Sequence, residues 1–481
     1  MVVTRSDLPG HAAPADRADV VPAVIKAYDV RGLVGEQLDA AFVRDTGAAF
    51  ARLLVTEHGG VPPHGIVVGR DMRDSSPELA GAFAEGVTAL GVDVTDIGLA
   101  STDMLYHASG ALHAAGAMFT ASHNPAAYNG IKLCRAGASP VGQDTGLDEI
   151  AALLDSEPGE LLAEAERAGT PRGTVVARDM LEEYATFLRG LVDLRGIRPL
   201  SLVVDAGNGM AGYTVPAVLG GLPLEVEPLY FELDGTFPHH EANPLDPDNL
   251  VDLQRTVLAV SRVDAGLAFD GDADRVFVVD ENGDAVSPSA ITALVATREL
   301  AKEPGATVIH NLITSRGVPE IVSEAGGVPV RTRVGHSFIK ARMAETGAIF
   351  GGEHSAHYYF RDFFRADSGM LAALHVLAAL GEQDRPLSEL MARYSRYAAS
   401  GEVNSQVADP QARMAEVEQD FGVRPGVTTD TLDGLTVTLG DGSWFNLRPS
   451  NTEPLLRLNV EAADAAAVVA LRDEVLALVR R

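Results

Sequence analysis

Two short runs of the sequence carry residue types suited to phosphoryl transfer. The first is Thr120-Ala-Ser-His-Asn-Pro125, which places Ser122 beside His123 and Asn124. The second is Phe269-Asp-Gly-Asp-Ala-Asp-Arg275, where carboxylates alternate ahead of an arginine. Carboxylate oxygens suit a hard divalent cation such as Mg²⁺, and a metal beside a serine oxygen is an arrangement that phosphoryl transfer uses. Together the runs predict an enzyme that carries phosphate on a serine.

The serine run also has an ordinary structural interpretation. A serine hydroxyl is a poor nucleophile near neutral pH, so Ser122 needs neighbours that hydrogen-bond it or stabilise charge. His123, Asn124 and the nearby Lys132 are candidates for this. The same Ser-His-Asn-Pro order is also typical of a serine that caps a helix or lies in a turn. The run by itself leaves both interpretations open.

The aspartate run invites comparison with an EF-hand calcium loop. Asp270, Asp272 and Asp274 have the spacing of the first ligands of that loop, and Glu281 stands where its last ligand would be. However, Arg275 occupies the turn position that requires glycine, and the following Val-Phe-Val-Val is typical of a strand. We therefore predict a metal-binding loop between two apolar strands. The alternative is a solvated acidic turn.

Composition excludes several classes of protein. With 481 residues, 46% of them hydrophobic, the chain is too long for one core and should form three or four globular domains. No window is long and apolar enough for a membrane span, and the first residues lack the apolar core of a signal peptide, so we expect a cytoplasmic protein. The single cysteine, Cys134, excludes an intrachain disulfide and is expected to be a small buried residue.

The net charge restricts the partners. Lys plus Arg number 38 against 67 Asp plus Glu, which gives −29 and disfavours nucleic acid or an anionic membrane as a partner. The same charge repels an anionic substrate, so basic residues must be concentrated in the binding cleft. The motifs hold six candidates: Arg31, Arg70, Lys132, Arg275, Lys340 and Arg448.

The patterning predicts an α/β protein with four domains. Strand patterns alternate with amphipathic helix patterns through most of the chain, which predicts mixed or parallel sheets covered on both faces. From about residue 430 the pattern changes to a hairpin-rich sheet, followed by a helix over 463–480. We expect three related mixed α/β sandwich units around a central cleft, and a smaller C-terminal α+β domain.

An ordered set of further blocks accompanies the two runs from about residue 27 to 460. The blocks are Lys26-Ala-Tyr-Asp-Val-Arg-Gly32, Gly69-Arg-Asp-Met-Arg73, Tyr128-Asn-Gly-Ile-Lys132, Gly335-His-Ser-Phe-Ile-Lys340, Gly352-Glu-His-Ser-Ala-His357 and Arg448-Pro-Ser-Asn-Thr-Glu-Pro454. This set resembles the α-D-phosphohexomutases, most closely the bacterial phosphomannomutase/phosphoglucomutase branch.

The resemblance implies roles for individual residues. Mg²⁺ is expected on Asp270, Asp272, Asp274 and an oxygen of phosphorylated Ser122. The expected catalytic residues besides Ser122 are Lys132 and His336 for general acid/base catalysis, with Arg31, Arg275 and His123 near the transferring phosphoryl group. Without the family, Lys132 would be an exposed strand lysine and His336 the start of a helix. The expected substrate-binding residues are Tyr28, Glu353, Ser355, Arg448, Ser450, Asn451 and Thr452.

The pattern along the chain places the domain boundaries, and the family implies which functional loop each domain carries. We predict a mobile tail at 1–20, a phosphoserine-loop domain at 21–168, a metal-loop domain at 169–285, a sugar-recognition domain at 286–398 and a phosphate-binding domain at 399–481. A mutase must hold the phosphate that is not reacting, and the run from Arg448 to Thr452 offers a guanidinium, two hydroxyls and an amide for this. An ordinary turn is the alternative for this run.

The resulting hypothesis is a reversible 1,6-phosphomutase of mannose or glucose phosphate. It acts through phosphoserine and a hexose 1,6-bisphosphate, which also serves as activator, and it is a monomer or homodimer. The Glu-x-Ser order at 353–355 favours a neutral hexose, whereas His354, Ala356 and a missing lysine in Asn311-Leu-Ile-Thr314 depart from the family. The alternatives are a phosphoglucosamine mutase, a metal-dependent sugar phosphatase or phosphotransferase, and a non-catalytic metal- or phosphosugar-binding module.

Overall fold

Four β-sheets, each packed against helices, follow one another along the chain. The computed structural model describes residues 17–155, 158–449 and 455–481. This arrangement confirms the predicted four-domain α/β fold. None of the helices in these three ranges is long and apolar enough to span a membrane.

The first sheet carries the serine loop. Its region contains α1 (Arg17–Val24), β1 (Val30–Leu33), α2 (Ala40–His58), β2 (Ile66–Arg70), α3 (Ser76–Ala89), β3 (Val94–Leu99), α4 (Thr102–Leu112), β4 (Ala115–Phe119), β5 (Tyr128–Arg135), β6 (Ser139–Pro140), α5 (Leu147–Leu154), α6 (Glu160–Arg167) and β7 (Val175–Ala177). Strand β2 is parallel to β3 and β4, whereas β4 and β5 form an antiparallel pair. The serine run is therefore the loop of a β-hairpin.

The start of the fold differs from the sequence prediction. The tail predicted for 1–20 was wrong for its last residues, because α1 begins at Arg17. Val20, Val21 and Val24 of this helix are buried in the same cluster as Val30, so their burial stabilises a helix that the Pro- and Ala-rich composition concealed. Residues 1–16 lie outside the described part of the chain.

The second sheet carries the aspartate loop. Its elements are α7 (Leu181–Leu191), β8 (Leu200–Asp205), α8 (Ala211–Leu219), β9 (Leu224–Leu229), α9 (Val251–Ala259), β10 (Ala265–Phe269), β11 (Val276–Val279) and β12 (Ala285–Val286). Strands β10 and β11 are antiparallel, with Phe269 opposite Val276. The carboxylates lie in the loop between two apolar strands, which confirms the predicted position of this loop and rules out the EF-hand interpretation.

The third sheet carries the loop predicted to bind sugar. Its elements are α10 (Pro288–Lys302), β13 (Thr307–Asn311), α11 (Gly317–Glu324), β14 (Val328–Thr332), α12 (His336–Thr346), β15 (Phe350–Gly352), β16 (Tyr358–Phe360), β17 (Ala366–Asp367), α13 (Gly369–Gly381) and α14 (Leu387–Ala392). Strand β13 is parallel to β14 and β15, and β15 is antiparallel to β16. Residues 353–357 form the loop between β15 and β16.

The fourth sheet is antiparallel, as the sequence predicts. Its elements are β18 (Ala398–Gln406), α15 (Pro410–Gly422), β19 (Thr428–Asp430), β20 (Leu435–Thr438), β21 (Trp444–Pro449), β22 (Leu455–Ala462) and α16 (Ala465–Val479). Asp464 caps α16 by accepting a hydrogen bond from the Ala467 N–H at 2.9 Å. The predicted hairpin and final helix are both confirmed.

One hydrophobic core is shared by the first three sheets, and the fourth sheet has a separate core. One hydrophobic cluster contains Met104, Leu202 and Val308, which belong to the regions of three different sheets. Phe421 and Phe445 pack in a separate cluster with other residues of the fourth sheet. The proposed cuts at 168, 285 and 398 stay predictions, and β7 of the first sheet lies beyond the first of them.

Candidate active site

Ser122 is held in a strained backbone conformation. Its φ is +49°, in the left-handed region that a non-glycine residue adopts at a cost of about 1–2 kcal/mol. Its N–H donates to the Thr120 hydroxyl at 2.9 Å, and only 5% of the residue is exposed. The surrounding structure therefore fixes both the position and the direction of the hydroxyl.

Arg73 is the side chain that holds the serine loop. Its guanidinium donates to four backbone carbonyls of this loop: Ser122 at 3.0 Å, Asn124 at 2.7 Å, Pro125 at 2.9 Å and Tyr128 at 3.0 Å. Its Nε also pairs with the buried Asp71 at 3.2 Å. Arg73 is not among the residues predicted for the site, and the one signal for it in the sequence is its place in the block Gly69–Arg73.

Replacing Arg73 by methionine is expected to lower the free energy of unfolding by about 3–5 kcal/mol, because it leaves Asp71 as an unpaired buried charge and the loop carbonyls without donors. Chemical denaturation measures this change. Arg52→Met is the control, since Arg52 makes one surface ion pair with Glu164 and should change stability by about 1 kcal/mol or less. Equal losses in both variants would contradict the role of Arg73.

The aspartate loop reaches the serine hydroxyl directly. Ser122 Oγ donates to Asp270 Oδ2 at 2.8 Å and accepts from the Arg275 guanidinium at 3.3 Å. Arg275 Nε also donates to Asp270 at 2.9 Å, so the three groups form a closed network. Gly271 permits this approach, because a Cβ there would lie 2.5 Å from the Ser122 carbonyl oxygen. The structure therefore brings the two sequence runs together.

His123 and Lys132 complete the inner part of the site. Burial, followed by the charge of Arg275, lowers the pKa of His123 well below its usual value. Its Nδ1 accepts from Arg275 at 2.8 Å, which a neutral imidazole can do. Lys132 Nζ lies 2.7 Å from Asp272 and 2.6 Å from Asp274, and its side chain is mostly buried. Lys132 is therefore a residue of the site and not an exposed strand lysine.

The aspartates fit a hard divalent cation. One oxygen from each of Asp270, Asp272 and Asp274 lies within 4.8 Å of the others, and all three residues are buried. Asp272 Oδ1 and Asp274 Oδ1 are buried and accept no hydrogen bond in the described part of the chain. Carboxylate oxygens are the ligands that Mg²⁺ prefers, and these two are not occupied by a hydrogen-bond donor of the described residues. Thr102, which the sequence analysis missed, donates to Asp272 Oδ2 at 2.6 Å and orients it.

The ionisable groups of the cluster differ in the direction of their pKa shifts. Burial raises the pKa of Asp270 to about 7 although Arg275 opposes this. Burial also acts to raise the pKa of Asp272, but Lys132 and Thr102 outweigh it and lower that pKa. Burial disfavours charge on Lys132, yet the two neighbouring carboxylates raise its pKa. The carboxyl that contacts Ser122 is thus the one whose pKa is raised, whereas the pKa of Asp272 is lowered.

Two residues from the start of the fold line the same region. Arg31 donates to the Asn124 side chain at 2.6 Å and pairs with Asp29, which places its guanidinium beside the serine run. Tyr28 lies next to Gly335, where a Cβ would meet the tyrosine oxygen at 2.5 Å. Gly335 has a φ of +133°, so both its conformation and this contact require glycine.

Glu353 is held by three donors. Its Oε1 accepts from the Asn311 amide at 3.2 Å and the Gly335 N–H at 3.1 Å, and its Oε2 accepts from the Tyr359 hydroxyl at 2.7 Å. Ser355 Oγ lies 3.0 Å from His357 Nδ1. His357, which was quoted in a motif but given no role, has its Nε2 3.9 Å from Asp274 Oδ1. The loop 353–357 thus reaches the aspartate cluster.

Tyr359→Phe is expected to raise the KM for a hexose phosphate about 10-fold, because the variant removes a hydrogen bond to a buried carboxylate. Steady-state kinetics checks this. The matched control is Tyr358→Phe, since the adjacent Tyr358 hydroxyl is buried and makes no hydrogen bond in the described ranges. A KM change of equal size in both variants would contradict the role of Tyr359.

Among the remaining predicted site residues, Arg448 is the one whose side chain lies in the described part of the chain. Arg448 is the penultimate residue of β21 and lies near Glu402, with 4.0 Å between their charged atoms. Ser450, Asn451 and Thr452 lie outside the described residues. His336 begins α12, but its side chain also lies outside the described part.

Of the basic residues expected in the cleft, Arg70 is engaged elsewhere, whereas Lys340 lies beside the aspartate cluster, because its partner Asp367 has a carboxylate oxygen within 4.8 Å of one from Asp274. Arg70 faces Asp96 at 3.7 Å in a groove beside α3, and Lys340 forms a buried ion pair with Asp367 at 2.8 Å. Of the six basic candidates, Arg31, Lys132 and Arg275 are close to Ser122 or the aspartates. Cys134 is buried beside Ser109, as expected for a small core residue.

Sequence models of four successive domains match the chain. They are described as phosphoglucomutase/phosphomannomutase alpha/beta/alpha domain I at residues 23–159, domain II at 182–283, domain III at 287–397 and the C-terminal domain at 402–478. Together they account for most of the chain, in the same order as the four sheets.

Individual proteins are similar over almost the whole length. A phosphomannomutase of Escherichia coli K12 is 40% identical over 91% of this chain and 94% of its own. Phosphohexose mutases of Xanthomonas campestris are 40% identical over 93% of this chain and 97% of their own. The crystal structure of a phosphoglucomutase/phosphomannomutase family protein from Burkholderia thailandensis has a TM-score of 0.82 and 32% identity, covering 95% of this chain and 97% of that one.

Proposed function

This chain belongs to the phosphoglucomutase/phosphomannomutase family and is a phosphohexomutase, and on that premise we propose that it moves phosphate between C1 and C6 of mannose or glucose phosphate through phosphorylated Ser122. The observation that carries this proposal is the 2.8 Å contact between Ser122 Oγ and Asp270 Oδ2 inside a buried, arginine-lined network. It joins a candidate nucleophile to a candidate metal site.

The proposed reaction begins with phosphate on Ser122. A sugar hydroxyl attacks the phosphorus atom, a new P–O bond to the sugar forms, and the P–Oγ bond breaks. The attacking hydroxyl loses a proton to a titratable group of the cleft, for which the chain offers His336 and His357, and the serine oxygen regains a proton. Lys132, whose pKa the two carboxylates raise, is a proton donor in this scheme and not an acceptor. The products are a serine hydroxyl and a hexose 1,6-bisphosphate.

The second half runs the same step in reverse with the other phosphate. The bisphosphate must turn round, so that Ser122 Oγ attacks the phosphate that was remote in the first half. Arg275, 3.3 Å from the serine oxygen, is placed to stabilise charge on the transferring group in both halves. Arg31, held beside Asn124, is the second guanidinium at this position.

Asp270, Asp272 and Asp274 are proposed to hold Mg²⁺ together with an oxygen of phosphorylated Ser122. Bound there, the cation would neutralise charge on the transferring phosphoryl group. The unpaired oxygens of Asp272 and Asp274 support this assignment. Cytoplasmic location, a monomeric or homodimeric state and activation by the bisphosphate stay predictions of the sequence.

A coupled assay tests the reaction and the sugar. Mannose 1-phosphate, glucose 1-phosphate and glucosamine 1-phosphate are supplied separately, each primed with the corresponding 1,6-bisphosphate, and the 6-phosphate product is followed. We expect turnover of mannose or glucose phosphate without release of inorganic phosphate. Release of inorganic phosphate alone would favour a phosphatase, preference for the glucosamine compound would favour a phosphoglucosamine mutase, and no turnover would favour a binding module.

A further inference from the structure

A cavity opens where residues from the first, third and fourth sheets meet. Its volume is about 690 Å³, ample for a hexose phosphate. Its polar wall includes Tyr28 and Thr145 from the first region, Arg333 and Ser337 from the third, and Asp433 and Arg448 from the fourth. Two guanidinium groups from different sheets therefore face one space.

Arg333 is well placed to contact a ligand in this cavity. It follows β14, its guanidinium lies over the Phe338 ring at 4.8 Å, and its side chain is 52% exposed. Two residues further on, the Gly335 N–H donates to Glu353 Oε1 at 3.1 Å. The chain that carries Arg333 is thus tied directly to the carboxylate of the loop 353–357.

The carboxylates of the wall do not cancel this charge. Asp433 Oδ2 accepts from the Val334 N–H at 3.1 Å, and its Oδ1 is 4.0 Å from the Arg333 guanidinium, a separation too long for a hydrogen bond. Asp144, the other acidic lining residue among those that the structure describes, is exposed. Within the described part of the chain, Arg333 therefore has hydrogen-bond donors that no close ion pair occupies.

We propose that Arg333 binds the phosphate group that is not reacting, opposite Arg448, so that this subsite is shared between the third and fourth sheets. The inference rests on the proposed mutase function and deepens it. A guanidinium offers a planar pair of donors that matches phosphate oxygens. Sequence reasoning placed the subsite on the Arg448 run alone.

A shared subsite has a mechanical consequence. A phosphate that contacts both Arg333 and Arg448 is bound fully only while the fourth sheet stays against the third. Substrate binding then favours that arrangement over any in which the two sheets separate. The difference in free energy equals the binding free energy of the contacts that separation would remove. The fourth sheet has its own hydrophobic core, so such a rearrangement would not expose the shared core of the other three.

Arg333→Gln tests the proposal by kinetics and by binding. We expect the KM for mannose 1-phosphate or glucose 1-phosphate to rise about 10-fold or more, with kcat within about threefold of wild type, because a contact present in ground and transition states is lost. Arg333→Lys should recover part of the loss, since it restores charge without the planar fork. Calorimetric titration with the same sugar phosphate should show a matching loss of affinity.

Two control variants separate binding from a structural role. Arg342→Gln alters an exposed arginine of α12 that pairs with Glu345, and it should leave KM unchanged. Asp433→Asn removes the carboxylate that lies 4.0 Å from the Arg333 guanidinium, and it should lower KM because it removes a negative charge from the cavity. If Arg333 acted only through Asp433, this variant would raise KM as much as Arg333→Gln does.

The outcomes are distinct from those that test the mutase itself. Turnover by wild type with a KM in Arg333→Gln within twofold of wild type would overturn the role of Arg333 and leave the proposed function standing. An equal rise in KM for Asp433→Asn would also overturn it. Absence of turnover by wild type would contradict the proposed function, and calorimetry would still decide whether Arg333 contributes to phosphate binding.

Discussion

Ser122→Ala is expected to lower hexose-phosphate mutase turnover by about 10⁴-fold or more, because no other hydroxyl occupies the position between Asp270 and Arg275 in the described part of the chain. Without Oγ the enzyme cannot hold the phosphoryl group between the two half-reactions. The fold should survive, since the substitution removes one small polar atom. The coupled assay measures the rate, and mass spectrometry of the intact protein detects the phosphoryl group.

The control for this prediction is Ser139→Ala, which alters an exposed serine of β6. It should keep full turnover and the same phosphorylated mass as wild type. Wild-type protein should gain the mass of one phosphoryl group on incubation with hexose 1,6-bisphosphate, and Ser122→Ala should not. Near-wild-type turnover by Ser122→Ala, or phosphorylation of that variant, would contradict the covalent mechanism.

Removal of divalent cations with EDTA is expected to abolish turnover, and added Mg²⁺ to restore it. Asp270, Asp272 and Asp274 place several carboxylate oxygens within 4.8 Å of one another, and a phosphorylated Ser122 would add further negative charge to the same place. A bound divalent cation would offset this repulsion. Without it, only the positive charges of Lys132 and Arg275, among the described ion pairs, balance the three carboxylates.

A second readout does not depend on activity. Mg²⁺ should raise the Tm of the chelator-treated protein, because a ligand that binds only the folded state at about 100 times its Kd adds about 2.7 kcal/mol of stability. Asp272→Asn should reduce this increase. EDTA already saturated with Mg²⁺ is the control and should change neither quantity. Full turnover of thoroughly chelated enzyme, or a Tm indifferent to Mg²⁺, would rule out the assigned metal site.

The predictions from local pattern agreed well with the fold. The strands around the aspartate loop, the antiparallel C-terminal sheet and the last helix were all recognisable, because side-chain periodicity depends on which face of a strand or helix is buried. Helix α1 was missed because its stabilisation comes from burial of Val20, Val21 and Val24 against residues distant in sequence, and not from its own composition.

By itself, the sequence determined the chemistry available: a serine in a turn, carboxylates between two strands, and the ordered blocks of a mutase family. Only the tertiary structure decided that Ser122 hydrogen-bonds to Asp270, that Arg73 hydrogen-bonds to the backbone of the serine loop, and that Arg333 lines the same cavity as Arg448. Residue types and turns follow from local propensity. Contacts between loops of different sheets depend on how whole domains pack, which no short stretch of sequence encodes.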